Sequence, residues 1–207
     1  MKTLELFCGT KSFSKVAEKL GHDILTIDNN PAHNPDICID IFKFQYRVPL
    51  NFDIIWASPP CQTFSVASIG KHWNRDATPK TLDALDGISL LCRAIIIIQH
   101  FKPKYWFIEN PRGMMRKVID KIFKLNGITD YIRHTITYCQ YGDERMKPTD
   151  IWTNCKEWTP RPPCKNGDKC HVSAPRGSKT GTQGIKGSVD RGRIPEQLFY
   201  EIFKSIR

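Results

Sequence analysis

The sequence predicts an α/β protein with a mostly parallel sheet and helices on both faces. Three observations carry this expectation. Short apolar runs alternate with helical apolar patterns over the first two-thirds of the chain. Turn residues punctuate the runs. The chain has 207 residues with 40% apolar content, enough for one buried core without covalent staples.

The elements follow in order. Thr3–Phe7 reads as a buried strand. Phe13–Leu20 repeats apolar residues at Phe13, Val16, Ala17 and Leu20, the spacing of one helix face. Asp23–Ile27 is a second strand, ending on the turn cluster Asp28-Asn29-Asn30-Pro31. Asp36–Ile39 is a short third strand, and Phe52–Ala57 a fourth, stopped by Pro59-Pro60. Leu82–Phe101 predicts a long helix, Tyr105–Ile108 a fifth strand and Met115–Leu125 another helix. Tyr131–Tyr138 and Ile151–Asn154 are late strands. Residues 1–154 thus form one core. The pattern fades over 155–193, which hold 6 of the 13 glycines and 9 Lys/Arg against 3 acids. This basic stretch reads as a functional loop, a small metal-tied module or a disordered segment. From Pro195 to Arg207 a final helix, within a closing segment 194–207, turns Leu198, Phe199, Ile202, Phe203 and Ile206 toward the core.

Composition narrows the function. A net charge of +10 and a pI near 9.3 favour a polyanionic partner, nucleic acid before membrane. The longest apolar run, Ala94–Ile98, is too short to span a bilayer. The opening residues do not resemble a signal peptide, so the 8 cysteines are expected to be reduced thiols in a cytoplasmic, intracellular setting.

Three turns carry candidate chemistry. Phe7-Cys8-Gly9-Thr10-Lys11-Ser12 follows the first strand, where a glycine lets a ligand approach the backbone at a helix N-terminus. Asp28 with Asn29 closes the second strand, placed for ribose hydroxyls, and Asp40 with Ile41 follows the third, placed for an adenine amino group. Together these suggest a nucleoside cofactor. Pro59-Pro60 stiffen the next turn and fix Cys61, a candidate nucleophile. Glu109-Asn110-Pro111 follows the fifth strand, where a carboxyl of raised pKa can act as an acid or a hydrogen-bond donor.

These motifs resemble the DNA cytosine-5 methyltransferase family. LELFCGTKSFS resembles its opening motif, PPCQTFS its nucleophile loop and ENP its ENV-type motif, in the family's order. Residues 138–154, YCQYGDERMKPTDIWTN, resemble its Gln, Tyr-Gly and Arg motif. The similarity covers residues 3–154 and, more loosely, the last helix. The chain departs at the missing second glycine of the opening motif and at the usual arginine pair, where Arg145 and Lys147 stand. It also departs in lacking a large target-recognition domain and the GN-type closing motif.

The resemblance implies a Rossmann-like, S-adenosylmethionine-dependent methyltransferase acting on carbon 5 of cytosine through a covalent cysteine adduct. Cys61 would be the nucleophile, Glu109 would hold the base, and Arg145 and Lys147 would position it or favour the thiolate. Phe7, Cys8, Gly9, Thr10, Asp28, Asn29, Asp40, Ile41 and Pro60 would line the cofactor site. Gln62, Ser65 and Asn110, with Arg176, Lys179 and Lys186 of the basic segment, would meet the substrate. DNA is the expected partner. RNA methylation by the same chemistry, and a catalytically idle nucleic-acid-binding relative, are the alternatives. Compactness would suit a phage or mobile-element enzyme. Within the basic segment Cys155, Cys164, Cys170 and His171 make a candidate tetrahedral zinc set. Nearby Trp158 is a candidate contact to a base.

Overall fold

The computed structural model describes residues 1–45, 51–173 and 187–206. Seven strands form one sheet: β1 (Lys2–Leu6), β2 (Asp23–Asp28), β3 (Ile37–Cys38), β4 (Ile54–Ala57), β5 (Tyr105–Pro111), β6 (Ile132–Thr137) and β7 (Pro148–Thr153). Their order is β3-β2-β1-β4-β5-β7-β6. The first five are parallel to one another, while β7 runs antiparallel to both β5 and β6. The chain winds outward from β1 to β3 and then returns to lay β4 against the other side of β1. The carboxyl ends of β1 and β4 therefore flank a topological switch point, where open α/β sheets bind ligands.

Both faces of the sheet are covered, because alternate residues of each central strand point to opposite sides. Ile55 and Ala57 of β4 face one core with Leu4, Leu6, Trp106 and Ile108. That core is capped by α3 (Leu82–Phe101) and α4 (Met115–Leu125). Ile54 and Trp56 face the other, with Phe107 and Ile151. There α1 (Ser12–Lys19) and α6 (Glu196–Ser205) pack together, Phe13 lying between Trp56, Phe199 and Phe203 with ring centroids 5.3–5.7 Å apart. Met115, Val118, Ile119, Ile122 and Phe123 form the buried stripe of α4, at three- and four-residue spacing. Thr81 caps α3 through its hydroxyl, which accepts from the Ala84 N–H.

The boundaries differ from expectation where side chains override local pattern. Strand β5 runs on through Glu109-Asn110-Pro111 instead of ending at Ile108, because β7 pairs Glu109 with Ile151, Asn110 with Asp150 and Pro111 with Thr149. β7 begins at Pro148 and not Ile151. Its polar start is buried because Asp150, with no exposed surface, is paired with Arg116 and accepts from Thr135 Oγ1 at 2.8 Å. β3 shrinks to two residues because the Asp36 carboxylate turns back to accept from the Thr26 N–H and hydroxyl at 2.8 and 2.7 Å. Tyr138 leaves β6 to open a 3-10 turn, Tyr138–Tyr141. Two short helices, α2 (Ile69–His72) and α5 (Ser188–Gly192), were not expected. The final helix ends at Ser205, and Arg207 lies outside the described residues.

The start of the basic segment belongs to the core. Cys155 and Trp158 are 0% and 2% exposed in the cluster around α6, so Trp158 cannot serve as a surface contact to a base. Arg161 bonds the Gln140 carbonyl and pairs with Glu201 of α6.

Candidate active site

The turn after β1 is wound tightly. Phe7, Gly9 and Lys11 all adopt left-handed backbone conformations, with φ of 57°, 46° and 55°. Non-glycine residues rarely do so, and such strain collects at functional sites. The turn is held by Asp28, whose Oδ2 accepts from the Gly9 N–H at 3.0 Å and whose Oδ1 accepts from the Asn30 N–H at 2.9 Å. Beside it lies a cleft lined by Phe7, Ile27, Asp28, Asn29, Ile39, Asp40, Ile41, Pro60 and Leu90. Its walls are apolar and its carboxylates few, the make-up of a small-molecule site.

Six of the nine residues expected around a cofactor line this cleft. Three do not. Cys8 is 3% exposed and points inward, where burial pushes its thiol up to about 12. Gly9 contributes its N–H to Asp28, and the Thr10 hydroxyl lies 2.7 Å from that of Ser12. Ile27, Ile39 and Leu90 were missed. The first two could have been found as the last apolar residues of their strands, whereas Leu90 comes from the middle of α3 and left no local signal.

The loop after β4 is clamped from several sides. The Asn110 amide donates to the Pro59 carbonyl at 2.8 Å, fastening the loop of Cys61 to the strand of Glu109. The Trp73 indole donates to the Thr63 carbonyl at 2.7 Å, and the Met114 N–H to the Phe64 carbonyl at 2.7 Å. Gly113 faces Phe64 so closely that a Cβ there would lie 2.1 Å from its carbonyl oxygen. Asn110, expected to meet substrate, has no exposed surface and instead fixes the loop. Gln62 is exposed and Ser65 half-buried, the Ser65 hydroxyl 2.9 Å from that of Ser68.

Cys61 is half-buried, and burial together with the nearby Glu109 raises its thiol pKa; Lys147 and Arg191 oppose the rise. Glu109 is 5% exposed, and burial raises its carboxyl pKa against the pull of Lys147. The Tyr138 hydroxyl donates to Glu109 Oε1 at 3.1 Å. Burial lowers the Lys147 pKa, while Glu109 and Cys61 raise it. Its Nζ sits 4.7 Å from the Tyr138 ring centroid and donates to the Arg191 carbonyl at 2.7 Å. A thiol, a carboxyl and an ammonium group therefore act on one another at one edge of the sheet.

Arg145 departs from expectation. Its guanidinium grips Asp143 and donates to the carbonyls of Asp190, Arg191 and Arg193, at 2.9, 3.2 and 2.8 Å, leaving little free for a base or thiol. Arg191, which was not singled out, is the cation these bonds bring toward Cys61. Tyr138 was also missed, although it begins the YCQYG stretch.

The proposed metal set needs one correction. Cys155 lies in the core, its thiol 3.5 Å from Glu157 Oε2. The group that does converge is Cys139, Cys164, Cys170 and His171, with donor atoms all within 4.8 Å of one another. Arg176, Lys179 and Lys186 lie outside the described residues. Among the described residues no helix is long and apolar enough to cross a membrane.

Comparison with known proteins places this geometry in a family. The C-5 cytosine-specific DNA methylase family matches residues 1–129. A protein of Frog virus 3 (isolate Goorha), described as a probable DNA (cytosine-5)-methyltransferase, is 30% identical over 98% of each chain. The type II methyltransferase M.HpaII of Haemophilus parainfluenzae is 28% identical over 65% of this chain and 37% of its own length. Among solved structures, a prophage-encoded chain of E. coli, described as a DNA modification methyltransferase, superposes on 74% of this chain with a TM-score of 0.55 and 16% identity. The S. pombe Dnmt2 methyltransferase covers 76% with a TM-score of 0.51 and 21% identity. This chain spans 46% and 53% of those two, so they speak for the fold alone. The fold is the Rossmann-like one of S-adenosylmethionine-dependent methyltransferases, and the chain belongs to the C-5 cytosine-specific DNA methylase family.

Proposed function

We propose that this protein methylates carbon 5 of cytosine in DNA, using S-adenosylmethionine, through a covalent adduct on Cys61. The observation that carries the reading is the pairing of Cys61 and Glu109 on neighbouring strand ends, joined by the bond from Asn110 to Pro59, with Lys147 acting on both.

The cleft beside β1 and β2 suits the cofactor. Asp28 and Asp40 offer acceptors for ribose hydroxyls and an adenine amino group, and Phe7, Ile41 and Leu90 offer apolar walls. S-adenosylmethionine supplies an electrophilic methyl group on a sulfonium.

Carbon 5 of cytosine is a weak nucleophile while the ring is aromatic. Addition of the Cys61 thiolate to carbon 6 removes that aromaticity and leaves carbon 5 enamine-like. Lys147 and Arg191 favour the thiolate against its burial. Burial favours the protonated form of Glu109, from which a proton can pass to ring nitrogen 3 and so stabilise the charge that develops as Cys61 adds. The Tyr138 hydroxyl holds Glu109 in place. After methylation, loss of the carbon 5 proton to solvent expels Cys61 as the thiolate, and ring nitrogen 3 returns its proton to Glu109, which restores the neutral aromatic ring. A duplex must present its cytosine outside the stack, since carbon 6 is unreachable within it. Gln62 and Ser65 lie on the same loop as Cys61 for contact with substrate, and Arg176, Lys179 and Lys186 supply charge for phosphates.

The test is incubation with labelled S-adenosylmethionine and, separately, DNA and RNA, followed by nucleoside analysis. Labelled 5-methylcytosine from the DNA arm is the expected product. Label confined to RNA would move the substrate, and none in either arm would reject the enzymatic reading.

A further inference from the structure

We propose that Cys139, Cys164, Cys170 and His171 form a tetrahedral zinc site that staples the basic segment to the turn holding Tyr138 against Glu109. The Cys139 and Cys164 sulfurs lie 3.1 Å apart. Cys170 Sγ is 3.7 Å from Cys139 Sγ and 3.7 Å from His171 Nδ1, and Cys164 Sγ is 3.7 Å from the same nitrogen. A metal–sulfur distance of about 2.3 Å sets the edge of a zinc tetrahedron near 3.8 Å. The four donors already stand close to that geometry. Three thiols and an imidazole are soft ligands, which select zinc over magnesium or calcium.

Ordinary packing does not account for the cluster. Thiols are weak hydrogen-bonding groups, and Cys170 is exposed, its sulfur accepting from the Gln140 amide at 3.5 Å, so burial does not explain why it faces the other donors. The backbone delivers three of the ligands without help from a metal. The Cys164 N–H donates to Thr137 Oγ1 at 3.0 Å, and the Val172 N–H to the Glu144 carbonyl at 2.9 Å. Between them, the Lys165 N–H donates to Asp168 Oδ2 at 2.7 Å, closing the turn that brings Cys170 and His171 back toward Cys164. Cys139 arrives from the other side, at the second position of the turn Tyr138–Tyr141. On binding, each thiol releases its proton to solvent and His171 ligates as a neutral imidazole through Nδ1.

The consequence reaches the active site. Tyr138, next to Cys139, donates to Glu109, and its ring lies under Lys147. Arg145, from the same stretch, holds the carbonyls that place Arg191. Zinc would thus fix the segment that orients both the carboxyl and the cations. This reading does not depend on which nucleic acid is methylated.

The experiment measures metal in the full chain purified with a thiol reductant and reconstituted with zinc. About one zinc per chain is expected. Cys139→Ser and His171→Ala should lose it, and Cys155→Ala should retain it. Cobalt in place of zinc should give sulfur-to-metal absorption in the wild type, weakened in Cys139→Ser. Should Cys139→Ser not fold, His171→Ala and the cobalt spectrum of the wild type decide. A folded wild type that takes up no zinc would overturn the proposal. So would loss of metal in Cys155→Ala with retention in Cys139→Ser, or a Cys139–Cys164 disulfide in the reduced preparation.

Discussion

Glu5 lies in the second half of β1, 4% exposed, with Oε2 accepting from the N–H and hydroxyl of Ser14. Burial outweighs these bonds and lifts its carboxyl from 4.5 to about 7. The unfolded chain holds the same proton less tightly, so the protonated carboxyl contributes stability in full below about pH 4.5. That contribution is lost as pH rises through about 7. At about 1.36 kcal/mol per pH unit, ionising Glu5 inside the fold costs roughly 3 kcal/mol. Glu5→Gln keeps an acceptor for Ser14 and removes the titration. Urea unfolding of both proteins at about pH 5 and pH 8 should show the wild type losing of order 2–3 kcal/mol more than the variant over that interval. All other groups are the same in both proteins and cancel in the difference. Equal pH dependence of the two would refute the reasoning.

Gly113→Ala would push a methyl group into the Phe64 carbonyl and displace the Cys61 loop. Turnover should fall on the order of 10²-fold while the chain still folds by circular dichroism. Asp28→Ala should weaken S-adenosylmethionine binding by roughly 10- to 100-fold in calorimetry, the usual cost of a lost charged hydrogen bond. Asp150→Ala strands the Arg116 guanidinium beside a buried cavity and should cost about 3 kcal/mol in denaturant unfolding, with the cleft unchanged.

The parallel core was legible in the sequence because each buried strand is a short apolar run closed by turn residues. The nucleophile loop was legible for the same reason, since two prolines mark it. What stayed hidden is what distant segments do to one another. Pro111 looked as if it lay beyond the strand, yet at the last rung of β5 it pairs with Thr149, where a missing N–H does little harm. Cys155 looked like a metal ligand by proximity in sequence. The third sulfur of the converging group instead comes from Cys139, which follows β6, the antiparallel partner of β7. Arg145 reads as a free cation until the carbonyls of residues 190–193 are seen to occupy it. Glu5 did leave a signal: an acidic residue at the centre of a strand buried on both faces.

The central claim is that Cys61 bonds covalently to cytosine during turnover. DNA substituted throughout with 5-fluorocytosine blocks the proton loss that would release the enzyme. With S-adenosylmethionine present, the wild type should be trapped as a denaturant-stable adduct, and Cys61→Ser should form none. Glu109→Gln should slow trapping by roughly 10²–10⁴-fold if the carboxyl acts as the acid. A Cys61→Ser protein that still methylates carbon 5 at the wild-type rate would contradict the account.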